Sequence, residues 1–247
     1  MPLLSDALEG VLTLLFPPRC AVCATLQEPV LCTHCTTQLM AIRQPFCAQC
    51  GYPFDPLAKG DTHCAICRDV PPYFDAARAA GYYTGALRTA IHQYKYNGVQ
   101  ALALPLASWA MTSLELPFRP DCLCPVPLHP RREARRGYNQ SLLLAEAFSA
   151  GWKIYLQPDL LRRTVDTPPQ MRLNAEERRR NIRDSFTIQS AVEGRSIGLV
   201  DDVMTTGATL NECARMLKRA GATQVLAVTL ARAVPDHDIP TKRQATQ

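Results

Sequence analysis

The sequence lacks any run of about 18 uncharged apolar residues, so it offers no candidate for a membrane-spanning helix. It also lacks the composition of a disordered or collagen-like chain, because hydrophobic residues make up 47% and charged residues 20% of it. The length of 247 residues suits one large domain, or a medium domain with a small one. The chain therefore has enough apolar residues to bury a sizeable core.

The first residues lack the features of a secretion signal. Residues 3–16 (LLSDALEGVLTLLF) are apolar, but no basic residue precedes them, no small-residue cleavage site follows, and Asp6 and Glu9 interrupt them. The pattern predicts a short amphipathic helix over residues 1–16. Because disulfide scaffolds need an oxidising compartment, we expect a cytoplasmic protein whose cysteines serve another purpose.

Cysteine is scarce after residue 67, where the sequence contains Cys122, Cys124 and Cys213. We expect these three to be small buried residues. The other eight cysteines form four Cys-x-x-Cys pairs. The pairs are Cys20 and Cys23, Cys32 and Cys35, Cys47 and Cys50, and Cys64 and Cys67.

Four thiolates are a usual tetrahedral ligand set for structural Zn²⁺, and each Cys-x-x-Cys turn directs two of them at one ion. The four pairs predict a double zinc ribbon over residues 17–72, with two closed structural sites. Loop closure favours pairing of consecutive turns, although interleaved pairing is open. A redox motif or chance clustering is the alternative. We expect His34 and His63 to be bystanders.

Positive charge is concentrated in one part of the chain. The net charge is +5, and residues 119–183 contain 13 basic against seven acidic residues, whereas residues 1–75 contain four basic against seven acidic ones. The basic window either faces an anionic ligand or is a solvated face.

Apolar runs at strand and helix periods begin after the cysteine-rich region and predict a second domain over residues 73–235 and a disordered tail over 236–247. Strands are expected at 76–83, 121–128, 185–189, 196–200 and 224–231, and helices at 85–96, 99–115, 139–150 and 209–220. Strands that alternate with helices, and whose apolar runs do not alternate with polar residues, predict an α/β fold with a parallel sheet flanked by helices. Ligands bind at the carboxyl ends of such strands.

One strand end carries the clearest chemistry, in the segment Asp201–Thr209 (DDVMTTGAT). A hydroxyl-rich turn before a helix N-terminus is a good phosphate cradle, and Gly207 lets the backbone approach closely. The two carboxylates would repel a phosphate, so we do not expect them to bind it. They are suited to binding the vicinal hydroxyls of a sugar, either directly or through Mg²⁺. The alternatives are a simple βα-turn cap and the acid pair of a phospho-receiver domain.

The segment Ile197–Thr209 resembles the phosphoribosyl-pyrophosphate (PRPP) signature of type I phosphoribosyltransferases, with Gly198 in a usually apolar position. Further segments, and the double zinc ribbon, resemble the ComF/GntX family over residues 15–233. These segments are Tyr94-Lys95-Tyr96, Pro125–Leu128, Arg131–Gln140, Thr167, Gln170 and Arg178–Phe186.

The resemblance implies a type I phosphoribosyltransferase fold and assigns roles by position. Asp201 and Asp202, as the catalytic acids, would hold the ribose hydroxyls. The 5-phosphate would lie on Thr205, Thr206, Gly207, Ala208 and Thr209. Pyrophosphate would be bound by Arg131, Arg132, Arg135 and Arg136, for which a solvated surface or a nucleic-acid patch is the alternative. A hood over about 162–184 would carry Gln170 and Arg178, unless this stretch is an ordinary linker.

The function implied is Mg²⁺-dependent transfer of a phosphoribosyl group from PRPP to an unidentified acceptor, connected with DNA uptake in natural transformation. The alternative is a non-catalytic module of the same fold that senses PRPP or binds single-stranded DNA or competence proteins. No Ser/His/Asp nucleophile set is visible, and His92 and His129 are minor candidates for a base. Lys95 either reaches the cleft or is a surface lysine. Asn139 either caps a helix or contacts the ligand.

Overall fold

A computed structural model describes residues 17–26, 28–55, 62–166 and 182–240. The predicted helix over 1–16, Thr167 and the hood candidates Gln170 and Arg178 lie outside the described residues.

The second domain is built on a five-stranded sheet in the order β1-β7-β6-β2-β3, in which every paired neighbour is parallel. The strands are β1 (Ala76–Tyr82), β2 (Cys122–Pro125), β3 (Tyr155–Leu156), β6 (Ser196–Met204) and β7 (Gln224–Arg232). The central strands β6 and β7 are apolar on both faces because both faces are covered. This agrees with the predicted α/β class.

Helices and the two halves of the cysteine-rich region together cover the two faces. The helices are α1 (Thr33–Thr36), α2 (Ala65–Asp69), α3 (Gly85–Tyr96), α4 (Ala103–Ser113), α5 (Pro130–Arg136), α6 (Gln140–Trp152) and α7 (Ala208–Arg219). Helices α3, α4 and α6 share one apolar core with Cys20, Cys32 and Cys35, and α7 shares the other with Cys47, Cys50 and Cys67. Each half of the cysteine-rich region thus packs on its own face of the domain.

Several predicted elements differ from the structure. The predicted strand 185–189 is a short strand, β5 (Phe186–Ile188), outside the main sheet, and it pairs antiparallel with β4 (Leu161–Arg163). The predicted helix 99–115 is a 3₁₀ turn (Gln100–Leu102) followed by α4. Strand β2 ends at Pro125, three residues early, because the next segment leads into α5, which was not predicted. Pro130 in the first turn and left-handed Gly137 at the end bound α5.

The cysteine-rich region also closes the β1 edge of the sheet. The amide of Ile42 donates to the Ala80 carbonyl, and the amide of Tyr82 donates to the Met40 carbonyl. A strand edge left open would offer a template for association, so this contact protects β1. Residues 236–240, which the sequence assigns to the tail, include a 3₁₀ turn whose Asp238 accepts a hydrogen bond from the Tyr52 hydroxyl.

Candidate functional site

The segment DDVMTTGAT lies at the carboxyl end of the central strand β6, at the start of α7. The strand continues through both acids to Met204, four residues beyond the predicted end at Val200, because Asp201 and Val203 stay in register with β7. Gly207 has a left-handed φ of +74°, and a Cβ there would lie 2.6 Å from the Met204 Cε atom. Helix α7 begins at Ala208, so its free amides face the hydroxyl-bearing loop.

Asp202 is a buried carboxylate held by Lys95. The Lys95 Nζ atom lies 2.8 Å from Asp202 Oδ1, and the two side chains are 18% and 3% exposed. Burial alone would lower the pKa of Lys95, but the charge and the hydrogen bond of Asp202, together with the Asp201 charge, outweigh burial and raise that pKa. The other oxygen, Oδ2, is buried and has no hydrogen-bond partner among the described residues. Lys95 therefore reaches the cleft rather than the open surface.

Asp201 is held by neutral donors instead. Its Oδ1 atom accepts from the Ser141 hydroxyl and from the Asp202 amide, each at 2.9 Å. Burial and then the adjacent Asp202 charge raise the pKa of Asp201 to about 7. The acid pair therefore has one member, Asp202, that is fixed by a lysine, and one member, Asp201, whose pKa lies near neutral pH.

Asn139 acts as the cap of α6. Its Oδ1 accepts from the Ser141 amide at 3.0 Å, and its Nδ2 donates to the Val126 carbonyl at 3.3 Å. This arrangement favours the capping alternative and fixes Ser141 beside Asp201. The Tyr94 hydroxyl, which donates to the Gln140 carbonyl at 2.7 Å, joins α3 to the same helix start.

The arginine cluster forms α5, which follows β2 at the same edge of the sheet as the acid pair. Arg132 Nε lies 3.4 Å from Asp166 Oδ1, and Arg136 donates to Gln140 Oε1 with its guanidinium over the Tyr96 ring. The two arginines that are exposed are Arg131 and Arg135. The cluster thus contains two positioned and two solvent-facing guanidinium groups.

The two histidines considered as bases have structural contacts. His129 is the N-cap of α5, and its Nδ1 accepts from the Arg131 amide at 3.3 Å. His92 packs against Tyr96, with 4.9 Å between ring centroids. His129 therefore serves as a helix cap, and His92 packs on the surface of α3.

Three buried arginines were missed by the sequence reasoning, namely Arg163, Arg215 and Arg232. Arg163 on β4 is 6% exposed, lies with its guanidinium 5.6 Å from the Phe186 ring centroid, and has its pKa lowered by burial. Arg232 at the end of β7 is 7% exposed. A charged residue inside an apolar strand, as in VTLAR, was the available signal for Arg232.

The carboxyl-terminal base of the predicted hood is anchored to α7. The Asp184 amide donates to Glu212 Oε1 at 2.7 Å, and Asp184 has a left-handed φ of +55°. Arg215, 6% exposed, bonds both Asp184 and Glu212. This network fixes the turn that leads into β5.

The eight paired cysteines form two groups, each with all four sulfur atoms within 4.8 Å of one another. The groups are Cys20, Cys23, Cys32 and Cys35, and Cys47, Cys50, Cys64 and Cys67. The pairing is consecutive, as loop closure favoured. Backbone amides point at the sulfurs, as from Cys35 to Cys32 and from Cys50 to Cys47, each at 3.4 Å. Such donors stabilise thiolates, so both sets fit structural zinc.

Neither predicted bystander histidine belongs to these groups. His34 contacts Gln38, and His63 contacts Thr62. Cys122, Cys124 and Cys213 are fully buried, in agreement with their interpretation as small core residues.

Arg232 connects the second cysteine group to the hydroxyl-bearing loop. Its Nη1 donates to the Cys50 carbonyl at 2.6 Å and lies 3.0 Å from Met204 Sδ, and its Nη2 lies 3.7 Å from Cys50 Sγ. A cation beside a zinc thiolate offsets the charge of the site. Since Met204 packs on Gly207, the Arg232 side chain joins the second cysteine group to the hydroxyl-bearing loop.

Comparisons with known proteins agree with this two-part architecture. A family model described as double zinc ribbon domain matches residues 11–70, and one described as phosphoribosyl transferase domain matches residues 162–244. In the described ranges, no helix has the length and apolar character needed to cross a bilayer.

Curated relatives match most of the chain. DNA utilization protein YhgH of Salmonella typhimurium is 32% identical over 87% of this chain and 97% of its own length. Competence protein F of Haemophilus influenzae is 31% identical over 82% and 90%, and competence protein ComFC of Bacillus subtilis is 27% identical over 82% and 84%.

The likeness to solved structures is weaker. A purine phosphoribosyltransferase from Pyrococcus horikoshii is 16% identical, with a TM-score of 0.32, over 60% of this chain and 94% of its own. The family assignment rests instead on the sequence identity to the curated relatives, which extends over nearly their full length. The chain, with a double zinc ribbon followed by a phosphoribosyltransferase-type domain, belongs to the ComF family of competence and DNA-utilization proteins.

Proposed function

We propose that this protein binds PRPP at the carboxyl edge of β6 and β2 and transfers its phosphoribosyl group to an acceptor. The observation that carries the proposal is the acid pair directly before the loop that begins α7, in which Asp202 is buried and Asp201 is half-buried. An unpartnered buried carboxylate oxygen is costly, so a protein that keeps one at a cleft has a use for it. Ribose hydroxyls are donors of the kind that Asp202 Oδ2 lacks.

The 5-phosphate belongs on the loop Thr205–Thr209. Free amides of α7, the hydroxyls of the threonines and the absence of a side chain at Gly207 suit a tetrahedral dianion. The four arginines of the α5 region (Arg131, Arg132, Arg135, Arg136) lie at the end of the neighbouring strand β2 and suit the pyrophosphate, which gains charge as it leaves. Catalysis then rests on positioning and electrostatics.

Magnesium would arrive with the substrate. Mg²⁺ prefers carboxylate, hydroxyl and phosphate oxygens, and the acid pair with PRPP supplies all three. Within this chain, Lys95 orients Asp202, and Ser141 orients Asp201. A hood carrying Gln170 and Arg178 would exclude water from the reacting carbon.

The biological role we propose is in DNA uptake, because relatives carry the names competence protein and DNA utilization protein. The second candidate is a non-catalytic module that senses PRPP or binds single-stranded DNA or partner proteins. The exposed Arg131 and Arg135 favour it, since solvent-facing guanidinium groups suit a phosphate backbone. Only the first candidate requires turnover.

The test is calorimetric titration of the zinc-loaded protein with PRPP and Mg²⁺, followed by an assay of pyrophosphate release with candidate acceptors. We expect Asp201→Asn/Asp202→Asn to abolish binding, whereas the exposed Asp159→Asn should bind as wild type does. Unchanged affinity in the double variant would refute PRPP binding at this site. Binding without pyrophosphate release for any acceptor would favour the sensing module.

A further inference from the structure

A cavity of about 390 Å³ lies at the outer edge of strand β1, beside the segment that connects the two cysteine groups. The Ile42 amide donates to the Ala80 carbonyl, and the Ala77 amide donates to the Gln49 carbonyl. Between these two contacts the connecting chain leaves the strand, and residues 43–46 contribute one wall of the cavity. The end of α4 and the two residues after it contribute another wall.

This cavity is separate from the proposed PRPP cleft. It contacts Arg78 of β1, which is the edge strand and lies two strands from β6. In the sheet register, Met204 at the end of β6 is level with Tyr82 of β1, because both pair with Arg232. Arg78 lies four residues, or about 13 Å, before that level along the strand. The acid pair, the phosphate loop and the arginine helix α5 contribute no residue to the lining.

Part of the lining is apolar. Ile42 and Ala79 are buried and belong to a small apolar cluster with Tyr82, against which the half-buried Phe46 packs. Leu114, half-buried just after α4, adds to this surface. Concave surfaces that combine apolar side chains with a few polar groups are typical of small-molecule sites, whose volumes are about 300–1,000 Å³. The cavity is thus large enough for a small organic ligand.

The guanidinium of Arg78 is fixed in the cavity wall. It lies over the Phe46 ring, with Cζ 4.8 Å from the ring centroid. Its Nη1 donates to the carbonyls of Ala77 at 2.8 Å and Ala48 at 3.0 Å. Its Nη2 and Nε have no hydrogen-bond partner among the described residues, so they can donate in parallel to one carboxylate.

None of the charged side chains that line the cavity has an ion-pair partner within the described ranges. These side chains are Arg43, Arg78 and Glu115, of which Arg78 is half-buried and the other two are exposed. Together they leave one net positive charge, which fits a monoanion, whereas the Glu115 carboxylate disfavours a second negative group on the ligand. The thiolates of the second cysteine group lie outside this balance, because Arg232 and backbone amides already contact them.

We propose that this cavity binds a small organic acid with a single carboxylate and an apolar body. The carboxylate meets Nη2 and Nε of Arg78 and the guanidinium of Arg43, and the body lies on the apolar part of the lining. A bidentate contact between guanidinium and carboxylate is stronger than a hydrogen bond between neutral groups, and the half-buried position of Arg78 limits competition from water. Since the ligand contacts both β1 and residues 43–46, it stabilises the connection between the two cysteine groups.

The test is saturation-transfer NMR on the zinc-loaded protein with phenylacetate, and with phenylacetamide as a neutral probe of nearly the same shape. Phenylacetate should receive saturation, whereas phenylacetamide, which lacks the charge, should bind at least about tenfold more weakly. The melting temperature should rise with phenylacetate concentration, because a ligand that binds only the folded protein stabilises it.

Variants locate the binding. Arg43→Glu, at an exposed position, and Arg78→Lys, which keeps the charge but loses the planar fork, should each weaken phenylacetate binding at least about tenfold. Arg219→Glu, at an exposed arginine at the end of α7 that does not line the cavity, is the matched control and should bind as wild type does. All three variants should retain the zinc content of wild type.

Absence of saturation at millimolar phenylacetate in protein that retains its zinc would overturn the proposal, as would equal affinity for phenylacetamide or equal weakening by Arg219→Glu. Excess pyrophosphate should leave phenylacetate bound. Displacement by pyrophosphate would place the probe on the arginines of α5 and would also overturn the proposal. The measurements use no PRPP, so their outcome is independent of the proposed function.

Discussion

Lys95 on α3 and Asp202 on β6 form an ion pair of 2.8 Å across 107 residues of sequence, at the centre of the candidate site. The pair holds one oxygen of a buried carboxylate in place. The second oxygen of this carboxylate is buried and has no hydrogen-bond partner among the described residues.

Replacing Lys95 with Met should destabilise the protein by about 3 kcal/mol, because it leaves Asp202 buried and uncompensated. Urea unfolding measures the change. The double variant Lys95→Met/Asp202→Asn should recover most of the loss, since the stranded charge is then absent. A single variant as stable as wild type would show that the pair does not hold the site.

Stability should depend on pH through Asp201. The folded state raises the pKa of this carboxyl from 3.8 to about 7, so the folded protein binds the proton more tightly than the unfolded chain does. The free energy of unfolding should therefore fall as the pH rises from about 4 to about 7 and then level. Asp201→Asn should remove this part of the slope and raise the melting temperature at pH 8, by about 2–4 °C for each kcal/mol recovered. Thermal melts of both proteins from pH 4.5 to pH 8 measure it, and equal slopes would contradict the assignment.

The two cysteine groups should differ in their effect on the loop. Cys64→Ser in the second group should release one zinc and weaken PRPP binding, because Arg232 joins Cys50 to Met204 and the loop. Cys23→Ser in the first group should also release one zinc, but it should leave PRPP affinity within about twofold, since that group packs on the other face. Zinc release to a chromogenic chelator and calorimetry give the two measurements. Equal loss of affinity in both variants would argue against a specific link through Arg232.

The exposed arginines of α5 distinguish the two candidate functions. Arg131→Ala/Arg135→Ala should weaken pyrophosphate binding at least about tenfold if these groups clamp the leaving group. If they instead track a nucleic-acid backbone, the slope of log affinity for single-stranded DNA against log salt should fall by about one to two units. Arg119→Ala, which removes an exposed arginine bonded to the carbonyls of Trp152 and Lys153, is the control.

Structural features that depend only on residues close together in the sequence could be predicted from the sequence. Each Cys-x-x-Cys turn sets its own two ligands, and short loops make consecutive pairing favourable, so the two cysteine groups follow from spacing. The strand, loop and helix of residues 196–219 likewise form one continuous segment. Its apolar run predicts the strand, and Gly207 with the neighbouring hydroxyl residues predicts the turn before the helix. The alternation of helix and strand was sufficient for the parallel sheet.

Contacts between distant residues required the tertiary structure. The sequence does not distinguish a surface position from a cleft position for Lys95; the packing of α3 beside β6 places it against Asp202. Arg232 contacts Cys50, which lies 182 positions earlier in the sequence. The strand at 186–188 is apolar enough for the main sheet, but it pairs with β4 instead, because pairing depends on which edge is available. The sequence by itself determined the two cysteine groups, the strand, turn and helix of residues 196–219 and the class of fold, since these depend on local spacing. The raised pKa of Asp201, the Lys95–Asp202 ion pair and the contacts of Arg232 were decided only by packing, because burial and charge separation are properties of the folded chain.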